Sequence, residues 1–339
     1  MKIKKEINFK EPMLAFQLVN KNKGIVVINK EIQLIQLDDN NTIIAAIELP
    51  EYLTEDNLKI LVSNNEKYAV IYNQYKQFAA LIDLNKVIII KQLDRKKYCI
   101  EHCSFPLAFF EENNQTYLVY AEDWNVLQIL HVESLDIITE RKIYDYDKET
   151  ENDKYVDYFH SKLQISPNNT WIISNGWVWH PVAILKGWNL QNWKNINAYE
   201  VETNAVVDEY IGGYSWDRPL AWISENEFIY FAHTGEEEIE GLEKCSAYLR
   251  VYNMQQNAFT RNIKFDGFKV NEYYECLSGA NLFFCDDFIL SSCPSKGTQA
   301  ICLDEHEDII YHNADVFIRE YHSDEKIFIE VKESKVILY

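Results

Sequence analysis

Two stretches of the sequence combine side chains that bind other molecules by stacking and by charge. One is NGWVWHP at residues 175–181, and the other is GGYSWDRP at residues 212–219. Indole and phenol rings offer large flat contact surfaces, while imidazole, carboxylate and guanidinium groups add polar contacts. The residues of these stretches predicted to bind a partner are Trp177, Trp179, His180, Trp216, Asp217 and Arg218.

A second interpretation of the same residues stays open. Alternating Trp residues commonly pack one sheet against another, and Asp217 beside Arg218 would then form a structural ion pair. A proline follows both His180 and Arg218, which favours defined turns, and a binding site and a scaffold both use such turns. The pattern predicts ordered turns under either interpretation.

Three more residues are candidates for the same surface: Asp123, Trp124 and His160. As a general base, His160 would require a nucleophile and an orienting acid within hydrogen-bonding reach, and no motif of the sequence supplies either. A structural histidine bonded to a neighbouring element is the alternative. We therefore predict no catalytic residue and count these three among the partner-binding candidates.

The cysteines and the acidic runs do not form a recognisable metal site. Cys276, Cys285, Cys293 and Cys302 contain no C-x₂-C pair, and the strand assignment places them at two different faces. The acidic run at residues 145–149 begins like a calcium loop but lacks the Gly and Glu that such a loop needs. There is no phosphate-binding Gly loop, G-x-S-x-G elbow or H-E-x-x-H motif. The sequence predicts no metal and no cofactor.

The composition restricts the partners. The chain of 339 residues carries 33 Lys and Arg against 53 Asp and Glu, a formal charge of −20. Such a chain repels phosphate backbones and anionic lipid, so we predict neither a nucleic-acid nor a membrane partner. No apolar run approaches the ~18 residues of a membrane-spanning helix, and the charged N-terminus is unlike a signal peptide. The seven cysteines are odd in number and dispersed, which favours free thiols and a cytoplasmic location. We also predict a monomer.

The elements that must position these residues are short strands joined by polar turns. An Asn- or Asp-containing turn between two apolar runs occurs seven times. The shortest interval between successive turns is 38 residues, from Asp286 to Asp324, and the longest is 60, from Asn226 to Asp286. A repeat of this length, built only of strands, is typical of propeller blades. The turns begin at Asn22, Asn64, Asn113, Asn168, Asn226, Asp286 and Asp324.

The last repeat has only three strands, at Val316–Tyr321, Lys326–Lys332 and Lys335–Tyr339. The alternating segment Ile3–Phe9 precedes the first repeat and has no repeat of its own. We predict that it adds to the last repeat as the fourth strand, which would leave no exposed sheet edge there.

Two sequence details suggest a family. Ile165-Ser-Pro-Asn-Asn resembles a common F-S-P-D-G hairpin, and Gly187-Trp188-Asn189-Leu190 lies where a W-D-L strand end is often found. The chain thus resembles a divergent WD40-type or YVTN-type propeller over its whole length. The predicted fold is all-β, a single seven-bladed β-propeller domain of four-stranded antiparallel blades spanning residues 1–339. The predicted blades are 13–49, 58–93, 105–143, 160–211, 219–265, 276–312, and 315–339 with 2–9.

The fold sorts the loops onto two faces, and this sorting carries the functional prediction. Loops between second and third strands and connections between blades share one face, and the aromatic candidates belong to it. The sequence favours a non-catalytic binding or scaffold propeller that recognises a protein or peptide through an aromatic, His-containing face at the mouth of the channel. The alternative is a propeller hydrolase or lyase with a dispersed site that a divalent ion would assist. The residues of that alternative site are Glu101, Asp123, His160 and Asp217.

Overall fold

A computed structural model describes residues 1–38, 41–142, 156–211, 216–233, 242–243, 246–264, 280–303 and 309–339. Within these residues the chain forms seven antiparallel sheets of four strands each. The prediction of an all-β, seven-bladed β-propeller with four-stranded blades is therefore confirmed. No helix in this part of the chain is long and apolar enough to cross a membrane.

By its internal packing the chain divides into two units. The four-blade unit is Met13–Tyr210, and the three-blade unit is Met1–Pro12 together with Ile211–Tyr339. The first strand of the chain, β1 (Lys5–Asn8), belongs to the three-blade unit.

The four-blade unit contains the first four sheets, in which consecutive strands are neighbours. The first sheet is β2 (Ala15–Asn20), β3 (Lys23–Ile28), β4 (Glu31–Gln36) and β5 (Ile43–Glu48). The second is β6 (Leu58–Val62), β7 (Tyr68–Asn73), β8 (Phe78–Asp83) and β9 (Ile88–Asp94). The third is β10 (Leu107–Glu112), β11 (Gln115–Asp123), β12 (Val126–His131) and β13 (Asp136–Ile137). The fourth is β14 (Phe159–Ile165), β15 (Trp171–Val178), β16 (Val182–Asn189) and β17 (Val207–Tyr210).

The three-blade unit contains the other three sheets. The fifth is β18 (Leu220–Trp222), β19 (Glu227–His233), β20 (Ala247–Asn253) and β21 (Ala258–Lys264). The sixth is β22 (Asn281–Cys285), β23 (Phe288–Cys293), β24 (Gly297–Cys302) and β25 (Ile309–Asn313). The seventh is β26 (Glu320–His322), β27 (Ile327–Lys332), β28 (Lys335–Leu338) and β1.

The first strand of the chain completes the last blade, as the sequence predicts. Strand β1 pairs antiparallel with β28, with Lys5 opposite Leu338 and Asn8 opposite Lys335. Two further backbone bonds extend the pairing beyond the strand ends, including Phe9 N to Ser334 O at 2.8 Å. The pairing supplies β28 with a hydrogen-bonded neighbour on its outer side, so β28 is not a sheet edge.

The middle strands of the second blade are apolar because both of their faces pack against neighbouring sheets. In β8, every residue from Ala79 to Asp83 is buried, whereas no residue of the outermost strand β5 is buried. Between the second and third blades, the side chains of Val70, Leu81 and Leu118 belong to one buried cluster.

Asn and Asp residues in three of the repeated turns connect neighbouring blades. Asn65 Nδ2 donates to Thr116 Oγ1 at 2.8 Å, and Asn169 Nδ2 donates to the Glu111 carbonyl at 2.8 Å. In the three-blade unit, the Lys326 ammonium bonds both carboxylate oxygens of Asp286. The repeat detected in the sequence therefore reports blade-to-blade contacts as well as hairpin turns.

The fourth blade contains two short α-helices that the sequence analysis did not predict, α1 (Leu190–Asn195) and α2 (Glu200–Thr203). They lie between β16 and β17. Asn189 caps α1, since its side-chain oxygen accepts a hydrogen bond from Asn192 N at 2.8 Å. The segment that resembles a W-D-L strand end is thus a strand that leads directly into a helix.

Candidate functional site

Five aromatic side chains of the four-blade unit form one continuous cluster, here called the aromatic platform. One lies in the segment after β9, and one lies in the turn between β11 and β12. The other three come from the fourth blade, at the start of β14, near the end of β15 and in the turn after β15. All of these segments are inter-blade connections, second-to-third-strand turns, or strand ends next to them. The platform consists of Tyr98, Trp124, Phe159, Trp177 and Trp179.

The Phe159 ring is the centre of the platform. Its plane lies almost parallel to the Trp177 ring, with centroids 3.9 Å apart and 7° between the planes. The Trp124 ring lies 4.2 Å away, and the Tyr98 ring stacks at 5.7 Å. Trp179 meets Phe159 edge-to-face at 5.5 Å. Offset-stacked and edge-to-face pairs of this kind are the favoured aromatic geometries, so the cluster holds its rings in fixed positions.

The platform has a buried base and an exposed top. Phe159 and Trp177 are buried, and Trp124 is half-buried. By contrast, Tyr98 is 49% exposed and Trp179 is 45% exposed. Two large aromatic rings are therefore open to a partner and rest on rings that cannot move without disturbing the core.

A buried arginine holds the segment that carries Tyr98. The Arg95 guanidinium donates to the carbonyls of Ile100 and Cys103, at 2.8 and 3.0 Å, and lies 4.9 Å from the centre of the Phe105 ring. Ile100 begins a short 3-10 helix that ends at His102. These bonds fix both ends of the turn after Tyr98, because a charged donor to a backbone carbonyl is among the stronger hydrogen bonds.

Two hydrogen bonds fix the turn of Trp124 against the next blade. Asn125 Nδ2 donates to the Val156 carbonyl at 3.0 Å, and His160 N donates to the Trp124 carbonyl at 3.0 Å. The turn between β11 and β12 is thereby tied to the chain that enters β14, and the Trp124 and Phe159 rings are held against each other.

A buried tyrosine and a glycine shape the base of the platform. The Tyr158 hydroxyl accepts from Gly176 N and donates to the Ser174 carbonyl, each at 2.8 Å. Burial raises the pKa of Tyr158, so the phenol stays protonated and able to donate. A Cβ on Gly176 would lie 2.0 Å from the Phe159 carbonyl oxygen, so this position admits no side chain.

His160 lies below the platform, in the core. Its Nδ1 is 3.2 Å from the Ser174 hydroxyl, and its ring packs against Tyr158 and Trp188. Burial, together with the nearby positive charges of Lys186 and Arg141, lowers the pKa of His160 to about 3. The His160 ring is neutral at physiological pH and enclosed. These properties fit the alternative interpretation of His160 as a structural histidine.

Asp123 lies beside the platform and differs from an ordinary surface carboxylate. Its Oδ1 accepts a hydrogen bond from Trp124 N at 2.8 Å. Partial burial raises the pKa of Asp123, and the carboxylates of Glu122 and Asp94 raise it further, against the opposing effect of the Trp124 amide and Lys96. The negative charge here is held in a partly desolvated position, at the backbone amide of Trp124.

The second predicted stretch belongs to the other unit. Trp216 and Asp217 are half-buried, and Asp217 has a positive φ of 61°. Arg218 is only 2% exposed, and its Nη1 donates to the Phe231 carbonyl at 3.4 Å. The sequence predicts that Arg218 binds a partner; in the structure its side chain is buried and donates a hydrogen bond within the fifth blade. Residues 212–215 lie outside the described residues.

The remaining predicted residue, His180, is exposed in the turn that follows Trp179, with φ at 106°. Within the described ranges, no group of three or more His, Cys, Asp and Glu side chains is arranged to hold a metal ion. Glu101 is exposed beside His102, with the Glu101 Oε1 3.7 Å from the His102 Nε2.

Two residues of the platform were not among the predicted site residues. Phe159 precedes the predicted His160, and Tyr98 lies in the connection between the second and third blades. The assignment of blade connections to the aromatic face is the signal that applies to Tyr98. No sequence rule indicates that Phe159 and not His160 points into the aromatic cluster, because a bulge in the β14–β15 pairing lies between Phe159 and Lys162.

Comparison with known proteins identifies the fold and no closer relationship. No family model matches the sequence, and no curated protein matches it. Solved structures similar to this chain include the hydrazine synthase of Kuenenia stuttgartiensis, with a TM-score of 0.64, 8% identity, and coverage of 98% of this chain and 97% of that one. The structure of U3-55K gives a TM-score of 0.59 at 9% identity, covering 98% of both chains. The WD40 domain of Neurospora crassa Pan2 gives 0.58 at 7% identity, covering 100% of this chain and 96% of that one.

These similar structures include a WD40 domain and a chain named for an enzyme. At such low identity the likeness extends to the fold alone, and propellers serve both as enzymes and as interaction platforms. The chain thus shares the β-propeller fold with these proteins.

Proposed function

We propose that the chain is a non-catalytic binding propeller that captures a segment of a protein partner on the aromatic platform. The observation that carries this proposal is the pair of exposed rings, Tyr98 and Trp179, seated on the buried rings of Phe159 and Trp177. Solvent-exposed aromatic rings on a rigid base are typical of the residues that dominate binding energy at protein interfaces.

Rigidity supports the proposal because binding to a preformed surface loses little conformational freedom. Trp179 contacts both Phe159 and Trp177 edge-to-face, so its ring is held before a partner arrives. Asp123 and the exposed His180 add polar groups at the rim, where hydrogen bonds give specificity more than affinity.

The location and the other partners belong to the same proposal. Five cysteines in the described part of the chain are free thiols, which supports a reducing, cytoplasmic compartment. The formal charge of −20 supports a protein partner over nucleic acid or anionic lipid. We propose a monomer that binds its partner with one face. That Trp216 and Asp217 contribute to this face stays a prediction.

The test is affinity capture from native lysate with matched variants. Truncating an aromatic anchor costs about 2 kcal/mol, or about 30-fold in affinity, so Tyr98→Ala and Trp179→Ala should each fail to capture the same proteins that the parent captures. Tyr210→Ala is the control, since Tyr210 is 50% exposed on the outermost strand of the fourth blade, outside the platform. Identical capture by all four proteins, with unchanged melting temperatures, would contradict the proposal.

A further inference from the structure

We propose that the aromatic platform binds an arginine side chain of a basic segment, with the guanidinium lying on the exposed rings of Trp179 and Tyr98 and beside the carboxylate of Asp123. This inference rests on the proposed binding function and specifies the chemistry of the partner. It follows from three features of the described residues: the exposure of the two rings, the cation–ring contacts elsewhere in the protein, and the carboxylates near the platform.

The protein repeatedly places its own cations over aromatic rings. The guanidinium carbon of Arg250 lies 3.6 Å from the centre of the Phe259 ring, and the Lys194 ammonium lies 4.5 Å from that of Tyr117. Arg95 lies over Phe105 at 4.9 Å. Attraction between a cation and the electron-rich face of a ring explains this recurrence.

The two exposed rings of the platform differ from these. Among the cation–ring contacts within the described part of the chain, none involves Tyr98 or Trp179. The Trp179 ring lies at 89° to Phe159 and 85° to Trp177, so neither ring stacks flat on it, and 45% of the residue is exposed. An indole is the side chain that binds a cation most strongly through its face.

The carboxylates near the platform favour a cationic partner. Asp123 lies next to Trp124; Glu122 and Asp94 are close enough to oppose its ionisation, and Lys96 is close enough to favour it. Glu101 is exposed in the 3-10 helix that follows Tyr98. A guanidinium at this place would offset the repulsion among these carboxylates, and the charge of −20 on the whole chain would attract a basic segment from a distance.

Arginine fits this arrangement better than lysine. The guanidinium is planar, stacks on an aromatic face, and still donates hydrogen bonds from its edge to a carboxylate. An ammonium group is compact and strongly hydrated, so it loses more hydration when it lies on a ring. The exposed rings of Tyr98 and Trp179 offer the stacking surface, and Asp123, whose Oδ1 bonds the Trp124 amide, offers the carboxylate.

The experiment measures the affinity of four fluorescein-labelled 12-residue peptides by anisotropy. They share a Gly-Ser backbone and carry three Arg, three Lys, three norleucine or three Glu residues. We expect the Arg peptide to bind at least 10-fold more tightly than the Lys peptide. Trp179→Ala and Tyr98→Ala should each weaken binding of the Arg peptide by 10-fold or more, and Asp123→Asn by 3-fold or more. Tyr210→Ala should change nothing.

The other outcomes separate this inference from the proposed function. If the norleucine or Glu peptide binds as tightly as the Arg peptide and also depends on Trp179, the platform binds partners but not through arginine, and the inference fails alone. Equal binding of the Arg and Lys peptides, unaffected by Trp179→Ala, would show attraction to the net charge only and overturn the inference. If no peptide binds measurably, the inference is overturned, and the lysate capture still decides the proposed function.

Discussion

Gly176 shows how one residue determines whether the platform can form. Its missing side chain lets the Phe159 carbonyl and the Tyr158 phenol approach the β15 backbone. A methyl group there would lie 2.0 Å from a backbone oxygen, which cannot rotate away as a side chain can. The stacking of Phe159 on Trp177 therefore requires that residue 176 has no side chain.

We predict that Gly176→Ala loses about 3 kcal/mol or more of unfolding free energy, the upper end of what overpacking costs. Urea unfolding followed by Trp fluorescence measures it. Gly24→Ala is the matched control in a β-strand of the same unit, because the closest atoms to its Cβ would be two ring carbons of Phe16, at 2.9 and 3.1 Å, and that ring can shift, while the nearest backbone atom would lie at an ordinary 3.5 Å. If Gly176→Ala loses no more unfolding free energy than Gly24→Ala, the Phe159 backbone can shift to accommodate the added methyl group, and the prediction is wrong.

His160 predicts a pH dependence of stability with a definite sign. Its pKa in the folded protein is lowered to about 3, while an unfolded chain gives a histidine its ordinary value of about 6.5. The unfolded state therefore binds the proton first. The stability that comes from burying the neutral ring is complete above pH ~6.5 and is lost as the pH falls from there toward 3, by up to ~1.4 kcal/mol per pH unit.

The measurement compares unfolding free energies of the parent protein and His160→Gln at pH 7.5, 6.5 and 5.5. The variant is less stable at pH 7.5, because the ring no longer packs between Tyr158 and Trp188. The difference between the two proteins should shrink by about 1 kcal/mol at pH 5.5, since only the parent has a ring to protonate. Carboxylates titrate in both proteins and cancel. Parallel pH curves would mean that the pKa of His160 is the same in the folded and unfolded states.

At the scale of elements, an ion pair anchors the unpredicted helices of the fourth blade. The Arg141 guanidinium forms a two-pronged pair with the Glu202 carboxylate in α2, and the two side chains are 1% and 3% exposed. Arg141 also donates to the carbonyls of Leu127 and Thr139, each at 3.0 Å. The pair thus fastens α2 to the third blade.

We expect Arg141→Met to destabilise the protein by about 3–5 kcal/mol, because it leaves the Glu202 carboxylate buried without its cation. The double variant Arg141→Met with Glu202→Leu should recover a large part of that loss, since it removes both charges. Chemical denaturation of the single and double variants gives the coupling. Losses that simply add would indicate that the two side chains act independently.

The elements also explain which parts of the structure the sequence could predict. Polar turns between apolar runs reveal the blades, because a hairpin needs Asn, Asp or Gly at its turn and a strand packed on both faces is apolar throughout. The helices were not predicted because they are too short to show a helical period, and their start is a single capping residue, Asn189. Arg218 was predicted at a partner-binding face because Arg beside aromatic and acidic residues is typical of binding surfaces, whereas its burial depends on packing within the blade.

The platform was only partly predicted, for a related reason. Trp177 and Trp179 are two residues apart on one strand and its turn, so the strand alternation alone would give them the same face. Which ring is exposed depends on Phe159 and Tyr98, which come from other blades. A single sequence shows the stretch that carries both Trp residues. It does not show which residues of other blades pack against that stretch.

At the scale of the whole molecule, the strand farthest from the last blade in sequence completes that blade. Strand β1 brings residues 5–8 against residues 335–338, and Ile7 is buried in the contact. An ion pair joins Glu6 to Lys335, with 2.8 Å between the Glu6 Oε2 and the Lys335 Nζ. Without β1, strand β28 would present its unpaired backbone groups to solvent or to another molecule.

We therefore predict that deletion of residues 1–10 lowers the melting temperature strongly and causes concentration-dependent aggregation. Differential scanning calorimetry and light scattering measure the two effects. The substitution pair Ile3→Ala and Lys2→Ala is the control, because both residues precede β1 and are exposed. A synthetic peptide of residues 1–12, added to the truncated protein, should restore part of the melting temperature, and the same peptide with Ile7→Asp should not. An unchanged melting temperature after the deletion would contradict the structural role of β1, because a blade that tolerates an open edge does not need its fourth strand.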